Sequence, residues 1–269
     1  MAIEGQVKAG GIAPLTEANR LLRQKREVTG PFRSDDWSKI PAQIRNAAQF
    51  SAGIENARTM AAIQSNLQKA IDTPADESYM DKGKFVSEMR QALKAEPGDS
   101  GRMTDITSQR RLELIYDVQT TMAAEFGRYQ VGQEPVLLDA YPAQELLRIE
   151  DRNEKRDWEK RWKEAGGRLY GGRMIARKDD PVWVKVSAFG NPFPPFDFGS
   201  GMGTEDIDRI EAEELGVIAP GEQIQPDPPN FTQSQEASIK DIPRDIVDAF
   251  LGEYGDQLTV RGGKVKWKQ

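Results

Sequence analysis

The chain has 269 residues, 37 Lys and Arg against 43 Asp and Glu, a net charge of -6, no Cys and no His. These absences exclude disulfides, thiolate nucleophiles, Cys- or His-ligated zinc and the Ser-His-Asp arrangement, leaving carboxylate, Lys, Tyr or Arg chemistry or a magnesium site of Asp and Glu. Mean hydropathy is low at -0.66, the apolar runs are too short to span a bilayer, and MAIEGQVKAGGIAPL lacks the apolar stretch of a secretory signal, so a soluble protein made in the cytoplasm is expected.

Residues 1–36 form an expected basic arm, with Arg20, Arg23, Lys25 and Arg26 near its end and glycines interrupting any long pattern. Such charge runs are usually solvated; the sharper reading is an arm that touches DNA. Pro41–Asp72 is expected as a helix, with Phe50, Ile54, Ala57, Met60, Ile63, Leu67 and Ile71 spaced three and four apart. Phe85–Lys94 predicts a shorter helix, ended by Glu96-Pro97-Gly98. A third, capped by Thr107 or Ser108 and running to about Gln130, carries Ile115, Val118, Met122, Phe126 and Tyr129 on its buried face.

From Pro135 the pattern becomes mixed. Val136-Leu137-Leu138 and Glu145–Ile149 are short apolar runs that periodicity cannot assign. Asn153–Ala165 predicts a helix with Trp158 and Trp162 on one face. Two runs around Gly166-Gly167 and Gly171-Gly172 predict a hairpin bearing Arg168, Tyr170, Arg173 and Arg177, which are candidate contacts to DNA or a protein partner. Acidic neighbours favour a solvated hairpin with Tyr170 turned inward. Val182–Val186 is expected as a strand. Phe189–Met202 has no period, and its four phenylalanines call for an ordered, buried loop. Thr204–Leu215 predicts an acidic helix capped by Thr204, with Glu205 and Asp206 in its first turn; its carboxylates are those of a solvated face. Gly199-Ser200-Gly201-Met202-Gly203 lacks the strand and spacing of a phosphate-binding loop. Residues 219–240 read as a proline-rich linker, and 241–269 as a helix followed by a hairpin turning at Gly262-Gly263.

Several of these segments, in this order, resemble the Mu F-like head morphogenesis family of tailed phages. They are Trp37 with the Ala-Ala-Gln-Phe-Ser-Ala run to its C-terminal side, Arg111-Leu-Glu-Leu-Ile-Tyr leading to Phe126-Gly-Arg-Tyr129, Arg152–Trp158, the step Asp180-Pro181-Val182-Trp183, and the loop Pro194-Pro195-Phe196-Asp197-Phe198-Gly199. The resemblance covers Trp37–Gly203, about three fifths of the chain. It implies a minor capsid component present in few copies, associated with the portal or the major capsid protein and needed for head assembly or DNA delivery, lying in the virion at the capsid interior or portal vertex and in the host cytoplasm during assembly. Many relatives carry a His after the central Arg and a Cys-x-Cys pair after the Pro-Pro turn; here Trp158-Glu159 and Gly201-Met202 stand near those positions, so no metal role carries over.

The expected fold is α+β, in five segments: the arm 1–36, a helical region 37–134, a mixed α/β domain 135–218, the linker 219–240 and a helix-hairpin appendage 241–269. The expected function is non-catalytic head assembly with packaged double-stranded DNA as a further contact, and with no cofactor, metal, membrane or small-molecule substrate. The alternatives are a phage DNA-binding accessory protein and a His-free transferase such as an ADP-ribosyltransferase.

Overall fold

The structure, a computed structural model, describes residues 23, 25–30, 32–41, 44, 45, 47–50, 57–72, 81–152, 155–226 and 236–268. It is mixed α and β, helical in its N-terminal half and with short strands towards the C-terminal end. The described chain divides into two compact units, one drawn from Asn19–Ala123 with Asn230–Gln269, the other from Ala124–Pro229.

In the first unit, β1 (Arg26–Val28) pairs in parallel with β2 (Ala48–Phe50). Part of the expected helix 41–72 is therefore a strand. Ala and Gln favour helices, but the backbone of Ala48–Phe50 is paired to β1 while Val28 and Ala48 enter the core, and tertiary pairing overrides a weak local preference. Helix α1 (Ser34–Lys39) precedes this strand and α2 (Ala57–Asp72) follows it. The spacing read from sequence holds in α2, where Met60, Ile63, Leu67 and Ala70 are buried.

Helix α3 (Lys82–Ala92) starts at Asp81, whose carboxylate accepts from the Lys84 N–H at 2.8 Å. Phe85 of α3 meets Tyr116 of α4 (Gln109–Gly132) with ring centroids 5.3 Å apart. At the start of α4 the Ser108 hydroxyl accepts from the Arg111 N–H at 3.3 Å, and Asp99 accepts from the Gln109 N–H at 2.9 Å. Ile115, Val118, Met122 and Phe126 are buried as expected, and Tyr129 is half-buried.

The segment expected as an appendage belongs to this same unit. β6 (Ala237–Ser238), β7 (Leu258–Arg261) and β8 (Lys264–Trp267) form an antiparallel sheet of order β6-β8-β7, joined by α9 (Arg244–Tyr254). Val265, Trp267, Phe250 and Tyr254 share one core with Val28, Phe32, Trp37, Ile40 and Ile44. A three-stranded sheet with one apolar face must cover that face, and here α9 and the 28–48 region do so.

In the second unit, β3 (Ala143–Arg148) lies between β4 (Ile175–Arg177) and β5 (Met202–Ile207), antiparallel to both. Leu146, Ala176 and Met202 face a core with α6 (Trp158–Glu164) and α7 (Val182–Val186). Ala143, Ile175 and Ile207 face another, with Leu138 of α5 (Pro135–Ala140) and Ala212 of α8 (Arg209–Glu214).

Two expectations fail here for identifiable reasons. Val182–Val186 is helical: Asp180 accepts from the Val182 N–H at 2.8 Å, and a helical turn buries Val182, Trp183 and Val186 together, which alternation would separate. Thr204 caps no helix, because residues 202–207 pair with β3; Asp208 is the cap, accepting from the Glu211 N–H at 2.9 Å. Glu205 and Asp206 consequently lie on a strand. Within the expected linker, Ile224 is buried in the second core.

Candidate functional site

The proline-phenylalanine loop is held from both ends. Phe196 is fully buried against Trp183 (6.1 Å between centroids), which packs edge-on against Trp162 at 5.1 Å. Both indoles are satisfied: Trp162 donates to the Arg168 carbonyl at 2.7 Å and Trp183 to the Arg177 carbonyl at 2.8 Å. The Asp197 carboxylate accepts from Arg161 at 2.8 Å and from the Phe198 N–H at 2.8 Å, while Arg156 donates to the Phe198 carbonyl at 2.9 Å. Pro194 is buried, Pro195 half-buried, and Gly199 turns the chain at φ +55°. Asp180 and the exposed Pro181 start α7, which carries Trp183. The eight motif residues singled out in this region thus serve one packed frame. From that frame Phe198 projects, 45% exposed, edge-on to Phe189 at 4.8 Å.

The candidate basic contacts fare differently. Tyr170 and Arg173 bridge across the Gly171-Gly172 turn, but Arg173 is gripped by Glu145 (2.6 and 2.8 Å) and Glu211. Arg177 is bound by both Asp179 oxygens and by Glu222. Hydrogen bonds to these carboxylates raise both guanidinium pKa values above their ordinary value. Tyr170 packs against the second core, and Arg168 alone of the four is exposed.

On the arm, Lys25 is buried, 3.3 Å from the Gln119 side-chain oxygen and 3.5 Å from the Met122 sulfur. Burial lowers its pKa to about 8. Arg26 donates to the Lys268 carbonyl at 2.5 Å and lies over the Trp267 ring. Arg23 is exposed and Arg20 is outside the described residues. Arg26, Arg173 and Arg177 are therefore engaged by groups of the protein itself, and Lys25 lies buried within the fold.

The second unit also has a cleft of about 270 Å³ that sequence reasoning did not find. Glu125 and Arg128 of α4, Phe193 of the loop, Lys178, and Thr204 with Asp206 of β5 line it. Burial raises the Glu125 carboxyl pKa, and Arg128 at 3.1 Å opposes that shift. Lys178 is paired with Asp206 at 2.7 Å. The cations are thus matched to carboxylates, and the cleft offers a polar rim beside the ring of Phe193. The only available signal was Glu125 next to the apolar stripe of α4, with Arg128 three positions on.

No family model, curated protein or solved structure matches the chain. The proline-phenylalanine frame is the most fully built feature of the second unit, and its chemistry is that of a rigid mount.

Proposed function

We propose that the chain acts by binding and assembly, as a non-catalytic minor head protein of a tailed phage that docks on the portal or the inner capsid. The observation that carries this reading is the alternation along the loop. Phe196 is fully buried, Asp197 is clamped by Arg161, and Phe198 stands out at 45% exposure. An aromatic side chain held by a rigid frame loses little entropy on binding, which is what a protein-protein anchor needs. The resemblance to the Mu F-like family adds support, because its Asp-Pro-x-Trp step and Pro-Pro turn are the segments that build this mount.

Co-expression with the portal protein of the same phage tests the reading. The full chain is expected to co-purify with the portal, and Phe198→Ala, which removes an exposed ring, is expected to weaken that association at least tenfold while leaving the fold intact. No portal association by the wild-type chain would overturn the proposal.

A further inference from the structure

With Arg173 and Arg177 occupied by carboxylates, a second cluster of positive charge among the described residues lies on the C-terminal sheet. On β7 and β8, register pairs Leu258 with Trp267 and Val260 with Val265, and it pairs Thr259 with Lys266 and Arg261 with Lys264. Directly opposed residues share a face of the sheet. The set containing Leu258, Val265 and Trp267 is the core face; Thr259, Arg261, Lys264 and Lys266 form the outward one. Ser238 of β6 lies opposite Lys264 on its other side. A shallow cleft of about 240 Å³ is lined by these outward residues with Val265 and Glu236.

Three features make this face more than a solvated surface. Lys264 lies on the central strand with a paired residue on each side, so protection of a free sheet edge does not account for it. Arg261 directly opposes Lys264, a like-charge pair that costs the sheet stability. The carboxylate lining the cleft, Glu236, is 3.9 Å from Lys264 with both side chains more than half exposed, a contact of little worth. A fourth cation adjoins the turn: the stem of Lys240 crosses Gly263, where an added Cβ would stand 2.8 Å from Lys240 Cε.

We propose that the outward face of the β6-β8-β7 sheet, through Arg261, Lys264 and Lys266, binds the phosphate backbone of duplex DNA without reading its sequence. Alternate residues on one strand are about 6.6 Å apart, a spacing suited to successive phosphates. Arg, Lys, Ser and Thr are the side chains that commonly donate to phosphate oxygens. The face carries no ring, since Trp267 is turned into the core, so it offers no platform for stacking single-stranded bases. It also offers no apolar anchor of the kind a peptide partner would use.

The test uses the purified full chain and a fluorescent random-sequence duplex of about 20 base pairs, so its outcome is separate from portal association. Neutralising three phosphates predicts that log affinity falls with log salt at a slope of about -2.7, roughly forty-fold between 50 and 200 mM salt. The pair Lys264→Gln/Lys266→Gln should reduce that slope by about two, Lys264→Arg/Lys266→Arg should preserve it, and Arg168→Gln should leave it unchanged. Should the Gln pair fail to fold, lysine acetylation read by mass spectrometry replaces it, with bound duplex expected to protect Lys264 and Lys266. No duplex binding at 50 mM salt, an unchanged slope in the folded Gln pair, or unprotected lysines would overturn the proposal. So would equal competition by polyglutamate, which would assign the face to an acidic protein segment, or tighter binding of single strands.

Discussion

Trp267 donates its indole N–H to the carbonyl oxygen of Ile44, 2.9 Å away and 223 positions earlier in the chain. The ring is buried, with centroids 6.1 Å from Phe250 and 6.0 Å from Tyr254. This bond and the packing around it make 28–48 and 237–267 a single core. Trp267→Ala should cost about 3–5 kcal/mol by leaving a large cavity. Trp267→Phe retains most of the burial but strands the Ile44 carbonyl, at about 1–3 kcal/mol. Urea unfolding checks both, and an unchanged midpoint for the Ala variant would contradict a shared core.

Lys25 gives this unit a pH dependence. Its pKa is lowered by burial from 10.5 to about 8, so between those values the unfolded chain binds more protons than the folded one. Stability therefore rises with pH from about 8 towards 10.5, and the penalty of burying the charged amine is fully present below pH 8. Burial raises the Tyr254 pKa, which makes stability fall as the unfolded phenol ionises above its ordinary value of 10.0. The rise is thus best read between pH 8 and 9.5. Lys25→Met should stabilise the protein at pH 7 by about 2–3 kcal/mol and flatten the profile in that window. A Met variant with the wild-type slope would assign the dependence to another group.

What could be read in advance were features whose signal is local. The stripe of α4, the body of α3 from Phe85 onward and the turn at Gly262-Gly263 each depend on neighbours within a few residues. The Ala48–Phe50 strand was hidden because its hydrogen-bonding partner is β1, and its Ala-Gln composition points towards helix. The candidate site was obscured in the same way. Arg173 reads as a free cation on a glycine turn until Glu145 and Glu211, 28 and 38 positions away, are seen to hold it. Adjacent acids in the sequence hinted at neutralisation, but the carboxylates that achieve most of it are distant ones.

The misassigned start of α8 supplies a direct comparison. The sequence reading places the cap at Thr204, yet Asp208 is the residue that accepts a hydrogen bond from an N–H of the first turn. Asp208→Ala should destabilise the protein by about 1 kcal/mol, while Thr204→Val, a good strand residue at a paired position, should cost less than half as much. Thermal unfolding of the two variants side by side decides the matter, and the reverse order would restore Thr204 as the cap.

Gly199 and Gly201 both have positive φ, +55° and +64°, but their surroundings differ. A Cβ at Gly199 meets nothing within 4 Å, whereas one at Gly201 would stand 2.5 Å from the Glu150 carbonyl oxygen. That carbonyl is backbone beside the end of β3, where the Ile149 and Glu150 N–H groups both donate to the Gly201 carbonyl. It cannot swing aside as a side chain would. Gly199→Ala should therefore cost only the left-handed conformation, about 1–2 kcal/mol. Gly201→Ala adds displacement of the strand entrance and should cost clearly more. Because the Gly201 change loosens the end of the loop that mounts Phe198, it should also weaken portal association more than Gly199→Ala does. Equal losses in urea unfolding would mean that the strand entrance yields freely, and the mount would then be less rigid than docking through Phe198 requires.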